Sequence, residues 1–262
     1  MALQALIFDV DGTLAETEEM HRQAFNQAFV SLGLAWNWPP PLYKDLLRIA
    51  GGKERILHYL VNHLTTRRPQ DLAAFEREIP RIYALKTKLY SAMVREGTLR
   101  PRPGVARLIA EASNAGIRLA IATTTNPANV DALLQSALAP SGEALFGVIV
   151  AGDEVAAKKP APDVFDVAVR RLGFPASACI AFEDSANGVL AARRAGLAVV
   201  ATPSVYTSDD DFAGAASVVS TLGEPGKPHQ HLAGWKWPGG FVTVAGLQER
   251  AAEVAHSRDF HI

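Results

Sequence analysis

The chain has 262 residues, 48% of them hydrophobic, enough for one large α/β domain or for a core domain with a smaller companion. Its 26 basic and 27 acidic residues leave a formal net charge of −1, so no whole-molecule field favours nucleic acid or an anionic membrane, and an anionic substrate has to be held by local groups. One cysteine, Cys179, excludes an internal disulfide, and no apolar run approaches the length of a membrane span.

The first predicted element is the apolar run Leu3 to Phe8, a buried strand of a parallel sheet. It starts so early that no room is left for a signal peptide, and a cytoplasmic location is expected (the plastid stroma in a photosynthetic eukaryote). The strand delivers Asp9 and Asp11, then Gly12, which allows a sharp turn. Two carboxylates this close raise each other's pKa unless a cation sits between them, and ligand sites in open α/β sheets form at the carboxyl ends of strands. An Asx-type turn explains a bare D-x-D-G. Behind a buried strand, a metal-assisted site is the more economical reading.

A helix follows, with Thr17 as its cap, Glu18 and Glu19 in its first turn, and Met20, Ala24, Phe25, Ala28 and Phe29 at helical spacing up to Gly33. The pattern stays helical to about Leu99, broken at Trp36 to Pro41 and at Gly51-Gly52, with no strand-like run. This predicts an all-α helical cap, residues 17–99, inserted into a core made of residues 1–16 and 100–262. Arg100 to Val105, with two prolines and a glycine, marks the return to the core.

Beyond it the chain alternates: helix Val105–Ala115, strand Arg118–Ala122, helix Pro127–Leu138, strand Phe146–Ala151, helix Pro162–Leu172, strand Cys179–Phe182, helix Ala186–Ala195, strand Leu197–Ala201. That order predicts a doubly wound parallel sheet. Cys179 falls inside a strand and reads as a small core residue. Gly223 to Gly240 reads as a long irregular connection, Val242 to Val244 as a short edge strand and Leu247 to Ala255 as a closing helix. His229 and His231 lack a third ligand, so they read as loop residues.

Each core strand ends in reactive groups. The second delivers Thr123, Thr124, Thr125 and Asn126, hydroxyl and amide donors suited to phosphate oxygens, or alternatively helix N-caps ahead of Pro127. Next comes Lys159, a cation beside a proline, able to neutralise a carboxylate and a phosphoryl group. The fourth strand ends in Glu183 and Asp184. Both acidic pairs belong at one sheet edge, and four converging carboxylates require a divalent cation, for which oxygen ligands favour Mg²⁺.

The four stations D-x-D-G-T-L at Asp9, the strand-end Thr123, K-P-x-P-D at Lys159 and E-D-S-x-N-G at Glu183 resemble, in order and spacing, the four motifs of the haloacid dehalogenase-like hydrolases. The resemblance covers about Leu3 to Gly214. It implies that Asp9 is a nucleophile forming an aspartyl-phosphate and that Asp11 is the acid for the leaving oxygen and the base for water. It further implies that Thr123 binds the transferring phosphoryl group, that Lys159 neutralises it, and that Asp184 holds Mg²⁺ with the Asp9 carboxylate and the Asp11 carbonyl, supported by Glu183. Asp11 must be protonated when the leaving group departs, and a dense acidic cluster is expected to raise its pKa.

A cap between the first two strands resembles subclass I, the branch of β-phosphoglucomutases and small sugar-phosphate phosphatases. Thr17 to His21 resembles its T-x-x-x-H hinge. The string from Asp11 to His21, Trp36-Asn37-Trp38, Tyr43, the run Gly51 to Ile56, A-T-T-T-N and A-G-D-E-V are similar to the CbbY phosphatases, which remove the 1-phosphate of xylulose-1,5-bisphosphate, an inhibitor of Rubisco. This implies that Lys53, Arg55, His21 and the amides of Gly51 and Gly52 hold a second phosphate and that Glu18 and Tyr43 bond the sugar hydroxyls. A phosphoglucomutase-like enzyme and a non-catalytic sugar-phosphate sensor are the alternatives. The only partner implied is a small sugar phosphate, and a monomer is expected.

Overall fold

The computed structural model describes residues 2–64, 69–138 and 142–259. β1 (Ala5–Phe8) is followed by four helices, α1 (Glu18–Ser31), α2 (Pro40–Leu46), α3 (Gly52–Asn62) and α4 (Pro69–Arg95). The chain then alternates through α5 (Val105–Asn114), β2 (Arg118–Ala122), α6 (Pro127–Ala137), α7 (Gly142–Leu145), β3 (Phe146–Val150), α8 (Asp163–Leu172), β4 (Cys179–Glu183), α9 (Ala186–Arg194) and β5 (Ala198–Ala201). β6 (Ser217–Val219), β7 (His231–Gly234) and α10 (Val244–Asp259) complete it.

The strands form one seven-stranded sheet in the order β3-β2-β1-β4-β5-β6-β7. All pairings are parallel except β6 with β7. Alternation along β1 explains why helices cover both faces. Leu6 and Phe8 enter a core built with α5, α6 and α10, whereas Ala5 and Ile7 enter the opposite core with α8 and α9. Phe8 stacks on Phe182 of β4, ring centroids 4.5 Å apart. Cys179 is buried, its thiol pushed up to about 11 by burial, and it is a core residue.

Helices α1 to α4 enclose an aromatic cluster of their own, with Phe25, Phe29, Trp36, Trp38 and Tyr43 buried together. The asparagine of α1 holds this cluster in register, since Asn26 Oδ1 accepts from the Trp38 amide at 2.7 Å and its Nδ2 donates to Trp38 O at 3.0 Å. A second, smaller cluster (Ala24, Tyr90, Val94 and Ala132) joins α1 and α4 to α6 of the sheet layer.

The C-terminal part differs from expectation. Val242 to Val244 is not a strand; Val242 and Val244 are buried as core packing, and α10 begins at Val244. The edge strand lies instead inside the segment expected to be irregular, as β7, and β6 was unforeseen. Both are short, and all four β7 residues are exposed, so neither carries an alternating apolar pattern. The tail is nevertheless part of the core: Trp237 Nε1 donates to Ser217 Oγ at 2.9 Å, and Leu247 and Ala251 pack with α5. No helix among the described residues is long and apolar enough to cross a membrane.

Truncating the fully buried Trp38 leaves a cavity that the aromatic cluster cannot close. Trp38→Ala is expected to lose about 3–5 kcal/mol in urea unfolding, and a loss under about 1 kcal/mol would refute the packing role.

Candidate active site

The site follows from strand register. β1 and β4 pair with Phe8 opposite Phe182, so the next residue of each, Asp9 and Glu183, stand side by side. The Asp9 amide donates to Phe182 O at 3.0 Å, extending the ladder to that point. On the other side Phe8 pairs with Ile121 of β2, which carries Thr123 to the same edge. Here β2 and β3 lie to one side of β1 and β4 to β6 to the other, the reversal that opens a crevice at the strand ends.

Lys159, from the loop after β3, reaches into that crevice. Its ammonium lies 2.6 Å from Asp9 Oδ1 and 2.6 Å from Glu183 Oε1, and all three residues are buried. Asp184 completes the group, fixed by Thr207, whose hydroxyl donates to Asp184 O at 2.7 Å. A side chain at Gly12 would collide with Asp184 Oδ2, and Gly12 has φ +75°, so this position admits only glycine on both counts.

Burial pushes the Asp9 carboxyl up to about 8; Lys159 pulls it down, while Glu183 and Asp11 add to the rise. Burial also holds Asp184 well above the usual carboxylate range, with the charges of Asp9 and Glu183 acting in the same direction. Burial opposes the Lys159 charge, but Asp9 and Glu183 outweigh it and raise its pKa. Asp9, Glu183 and Asp184 each place a carboxylate oxygen within 4.8 Å of the others. Three buried acids sharing one ammonium resist full ionisation by themselves, and their donors are all hard oxygens, so the set fits a small divalent cation such as Mg²⁺ that would favour their ionised forms.

Asp11 stands apart from this group. Thr17 Oγ1 donates to its Oδ1 at 2.6 Å, His21 Nε2 lies 2.9 Å from the same oxygen, and Lys86 Nζ lies 2.6 Å from His21 Nδ1. A neutral His21 with its proton on Nε2 satisfies both contacts, accepting from Lys86 and donating to Asp11. Burial, joined by the Lys86 charge, lowers the His21 pKa against the pull of Asp11. Burial would raise Asp11, but its contacts with His21 and Thr17 prevail and hold it low. The expected rise in the Asp11 pKa is thus corrected. The acidic cluster raises Asp9 and Asp184 instead, because the turn at Gly12 sends Asp11 toward the helices. Thr17 is also corrected: it stands at the N-cap position without capping, its hydroxyl committed to Asp11.

Lys86 is a buried group that sequence reasoning missed. Burial brings its pKa down to about 7, against the pull of Asp11 and Glu18, and it lies over the rings of Phe25 and Tyr90. A signal was present: Ile82, Lys86, Tyr90 and Val94 are spaced by four on the buried side of α4, with a lysine in an otherwise apolar row.

These groups line a cavity of about 470 Å³, within the size range of small-ligand sites. Of the residues singled out from sequence, Asp9, Asp11, Glu18, His21, Gly51, Gly52, Arg55, Thr123, Thr124, Thr125, Lys159, Glu183 and Asp184 face it. Three do not. Lys53 is engaged with Asp153 at 2.5 Å, Tyr43 is buried and donates to Glu18 at 2.7 Å, and Asn126 caps α6 by accepting from the Ala128 amide. Lys44 and Arg48 line the cavity without having been foreseen. Arg55 spends three donors on Leu46 O, Tyr43 Oη and Ile49 O, which fixes its guanidinium in the wall. Polar bridges span the mouth from helices to sheet loops: Lys44 to Asp209 at 2.5 Å, Lys53 to Asp153, and Asn187 Nδ2 to Arg48 O at 3.0 Å.

Comparison with known proteins bears on this geometry. Residues 3–196 match the model of the haloacid dehalogenase-like hydrolases. The chain is 50% identical to the plasmid-borne protein CbbY of Cupriavidus necator, over 99% of this chain and 97% of that one, so the likeness includes the C-terminal segment. The crystal structure of a mutant CbbY from Rhodobacter sphaeroides in complex with xylulose-1,5-bisphosphate superposes with a TM-score of 0.78 at 45% identity, covering 86% of this chain and 96% of that one. A putative β-phosphoglucomutase from Thermotoga maritima gives a TM-score of 0.58 at 26% identity, covering 83% and 94%.

The buried lysine makes a pH prediction. With its folded pKa at about 7 and its ordinary value at 10.5, Lys86 binds fewer protons folded than unfolded between those limits, so its stability penalty is complete below about 7 and fades as pH rises toward 10.5. Lys86→Met is therefore expected to gain thermal stability over the wild type at pH 7 and to lose that advantage by about pH 10. A melting-temperature difference that stays constant across the range would contradict it.

Proposed function

The chain belongs to the haloacid dehalogenase-like hydrolases, and from that membership we propose a Mg²⁺-dependent sugar-bisphosphate phosphatase that removes the 1-phosphate of xylulose-1,5-bisphosphate through an aspartyl-phosphate on Asp9. The observation that carries it is a cavity lined by cations from both the sheet edge and the helices. Asp9 and Lys159 lie 2.6 Å apart at the sheet edge, and Arg48, Arg55 and the Gly51-Gly52 segment line the wall contributed by the helices. A monophosphate needs cations only where it reacts. A bisphosphate needs a second cationic station, and this wall supplies one.

In the first step an Asp9 carboxylate oxygen attacks phosphorus as the bond from phosphorus to the sugar oxygen breaks. Lys159 neutralises and orients the group, and Thr123 binds it together with nearby amides. The departing oxygen takes a proton from Asp11. Asp11 is charged by transfer along the file already in contact: Lys86 gives a proton to His21 Nδ1 while His21 passes its Nε2 proton to Asp11. In the second step water attacks phosphorus, returns its proton to Asp11, and the bond from Asp9 to phosphorus breaks to release orthophosphate. Asp9, the Asp11 carbonyl and Asp184, supported by Glu183, would hold Mg²⁺, which supplies charge neutralisation at the phosphoryl oxygens. Glu18 bonds the sugar hydroxyls. Residues 17–99 act as a cap over the core formed by 1–16 and 100–262, and the bridges at the mouth hold it closed.

Phosphate release from a panel of pentulose and hexose mono- and bisphosphates, with Mg²⁺ and with EDTA, tests this. The expected outcome is Mg²⁺-dependent release fastest from the pentulose bisphosphate; sugar-phosphate isomerisation stimulated by a hexose bisphosphate would establish the mutase instead. Asp9→Asn is expected to reduce turnover by at least about a thousandfold with the fold intact, and substantial residual activity would exclude Asp9 as nucleophile. Arg48→Gln is expected to raise KM for the bisphosphate by roughly ten- to a hundredfold and to leave a monophosphate nearly unaffected. Equal effects on both would remove Arg48 from the distal phosphate.

A further inference from the structure

Arg102 is a further buried cation at this end of the sheet, and the chemistry described above does not use it. It lies in the second of the two strands of chain that connect the helices to the core, where its amide donates to Leu14 O at 2.8 Å and Ala15 bridges to Pro101. Its side chain is only 7% exposed. Nη1 donates to Gly12 O and, at 2.6 Å, to Thr202 O; Nη2 donates to Pro203 O at 2.7 Å and Ser220 O at 3.2 Å; Nε meets Glu16 Oε1 at 3.0 Å. All five guanidinium protons are thereby committed, to the loops that follow β1, β5 and β6 and to the first connecting strand.

Two of these loops wrap Asp184. Gly12 lies against the Asp184 carboxylate so closely that no Cβ fits between them. Thr202 and Pro203 lead into Ser204, whose amide donates to Thr207 Oγ1 at 2.9 Å, and Thr207 in turn holds Asp184. Burying a guanidinium costs several kcal/mol unless its hydrogen bonds are made, and four of its partners here are backbone carbonyls rather than a counter-charge. Such a group is well suited to holding loops at a fixed separation and contributes little net charge compensation.

We propose that Arg102 is a positioning residue for the metal-binding end of the site: its planar fork clamps the Gly12 and Thr202–Pro203 carbonyls so that Asp184 faces Asp9 at a spacing that a divalent ion can bridge. This rests on the Mg²⁺-dependent reading of the site. Lysine retains the charge but has three donors on one atom and no planar fork, so it cannot reproduce the clamp.

The test is calorimetric Mg²⁺ binding without substrate, paired with steady-state kinetics, on wild type, Arg102→Lys and Glu16→Gln. Arg102→Lys is expected to fold and to bind Mg²⁺ about ten- to a hundredfold more weakly, with kcat falling and KM for the sugar phosphate nearly unchanged. Glu16→Gln, at a partly exposed partner, is expected to shift Mg²⁺ affinity in the same direction by less, and it decides the matter if Arg102→Lys does not fold. A lower melting temperature with unaltered Mg²⁺ affinity in Arg102→Lys overturns the proposal and leaves Arg102 a structural residue, as does unaltered affinity in Glu16→Gln where Arg102→Lys cannot be measured. Wild-type protein that binds no Mg²⁺ overturns the metal reading and this proposal together.

Discussion

The Lys159 ammonium sits 2.6 Å from Asp9 and 2.6 Å from Glu183 at a sheet edge closed to solvent, and the rest of the site is arranged around the cost of that contact. Removing ionised groups from water costs several kcal/mol each, and attraction within the pair repays this only with good geometry. Here the strand register supplies the geometry: once Phe8 is opposite Phe182, Asp9 and Glu183 are adjacent whatever else the chain does. A further carboxylate, Asp184, arrives with the same strand end, so one ammonium is outnumbered. A cluster with that imbalance is a poor way to stabilise a protein and a good way to hold a cation and a phosphoryl group.

Asp9 and Asp11 are two residues apart, yet their environments drive their acidities in opposite directions. Burial and neighbouring acids raise Asp9, while His21 and Thr17 hold Asp11 down. These directions are the reverse of what the reaction uses, an ionised Asp9 and a protonated Asp11, so the chemistry depends on a cation beside Asp9 and on proton delivery to Asp11 through His21. The partners of Asp11 come from α1 and α4, so a competent Asp11 depends on the helices being in place over the sheet. The acidity of Asp11 is therefore set by helices packed over the sheet and not by the strand that carries it.

The helices are held by two kinds of contact with different consequences. Their aromatic cluster is built mainly from α1 to α4 and the loop holding Trp36 and Trp38, whereas exposed pairs such as Lys44 with Asp209 span the mouth. Exposed ion pairs contribute little to stability and are readily exchanged with water, which suits contacts that must part when substrate enters. The C-terminal segment plays no part in this. It covers one face of the sheet with Trp237, Leu247 and Ala251 and is tied to α5 by the Arg107–Glu224 ion pair.

The alternation of strands and helices from β1 to β5, the inserted helical region and the acidic, hydroxyl and lysine stations at strand ends were legible in the sequence, because each is local. A buried parallel strand is an unbroken apolar run, and a reactive residue at its end is adjacent in the chain. The short β6 and β7 were not legible, since three or four residues without alternation carry no periodic signal. Nor were the roles of the basic residues. The sequence pointed to Lys53 for a phosphate and not to Arg48, but packing ties Lys53 to Asp153 and leaves Arg48 in the cavity wall. The pairing of Lys86 with His21 spans 65 positions, and the contact of Arg102 with Gly12 spans 90. The sequence by itself determined which chemical groups stand at the edge of the sheet; only the tertiary structure decided which of them touch, and hence which are ionised, because charge at a buried site is set by neighbours brought from distant parts of the chain.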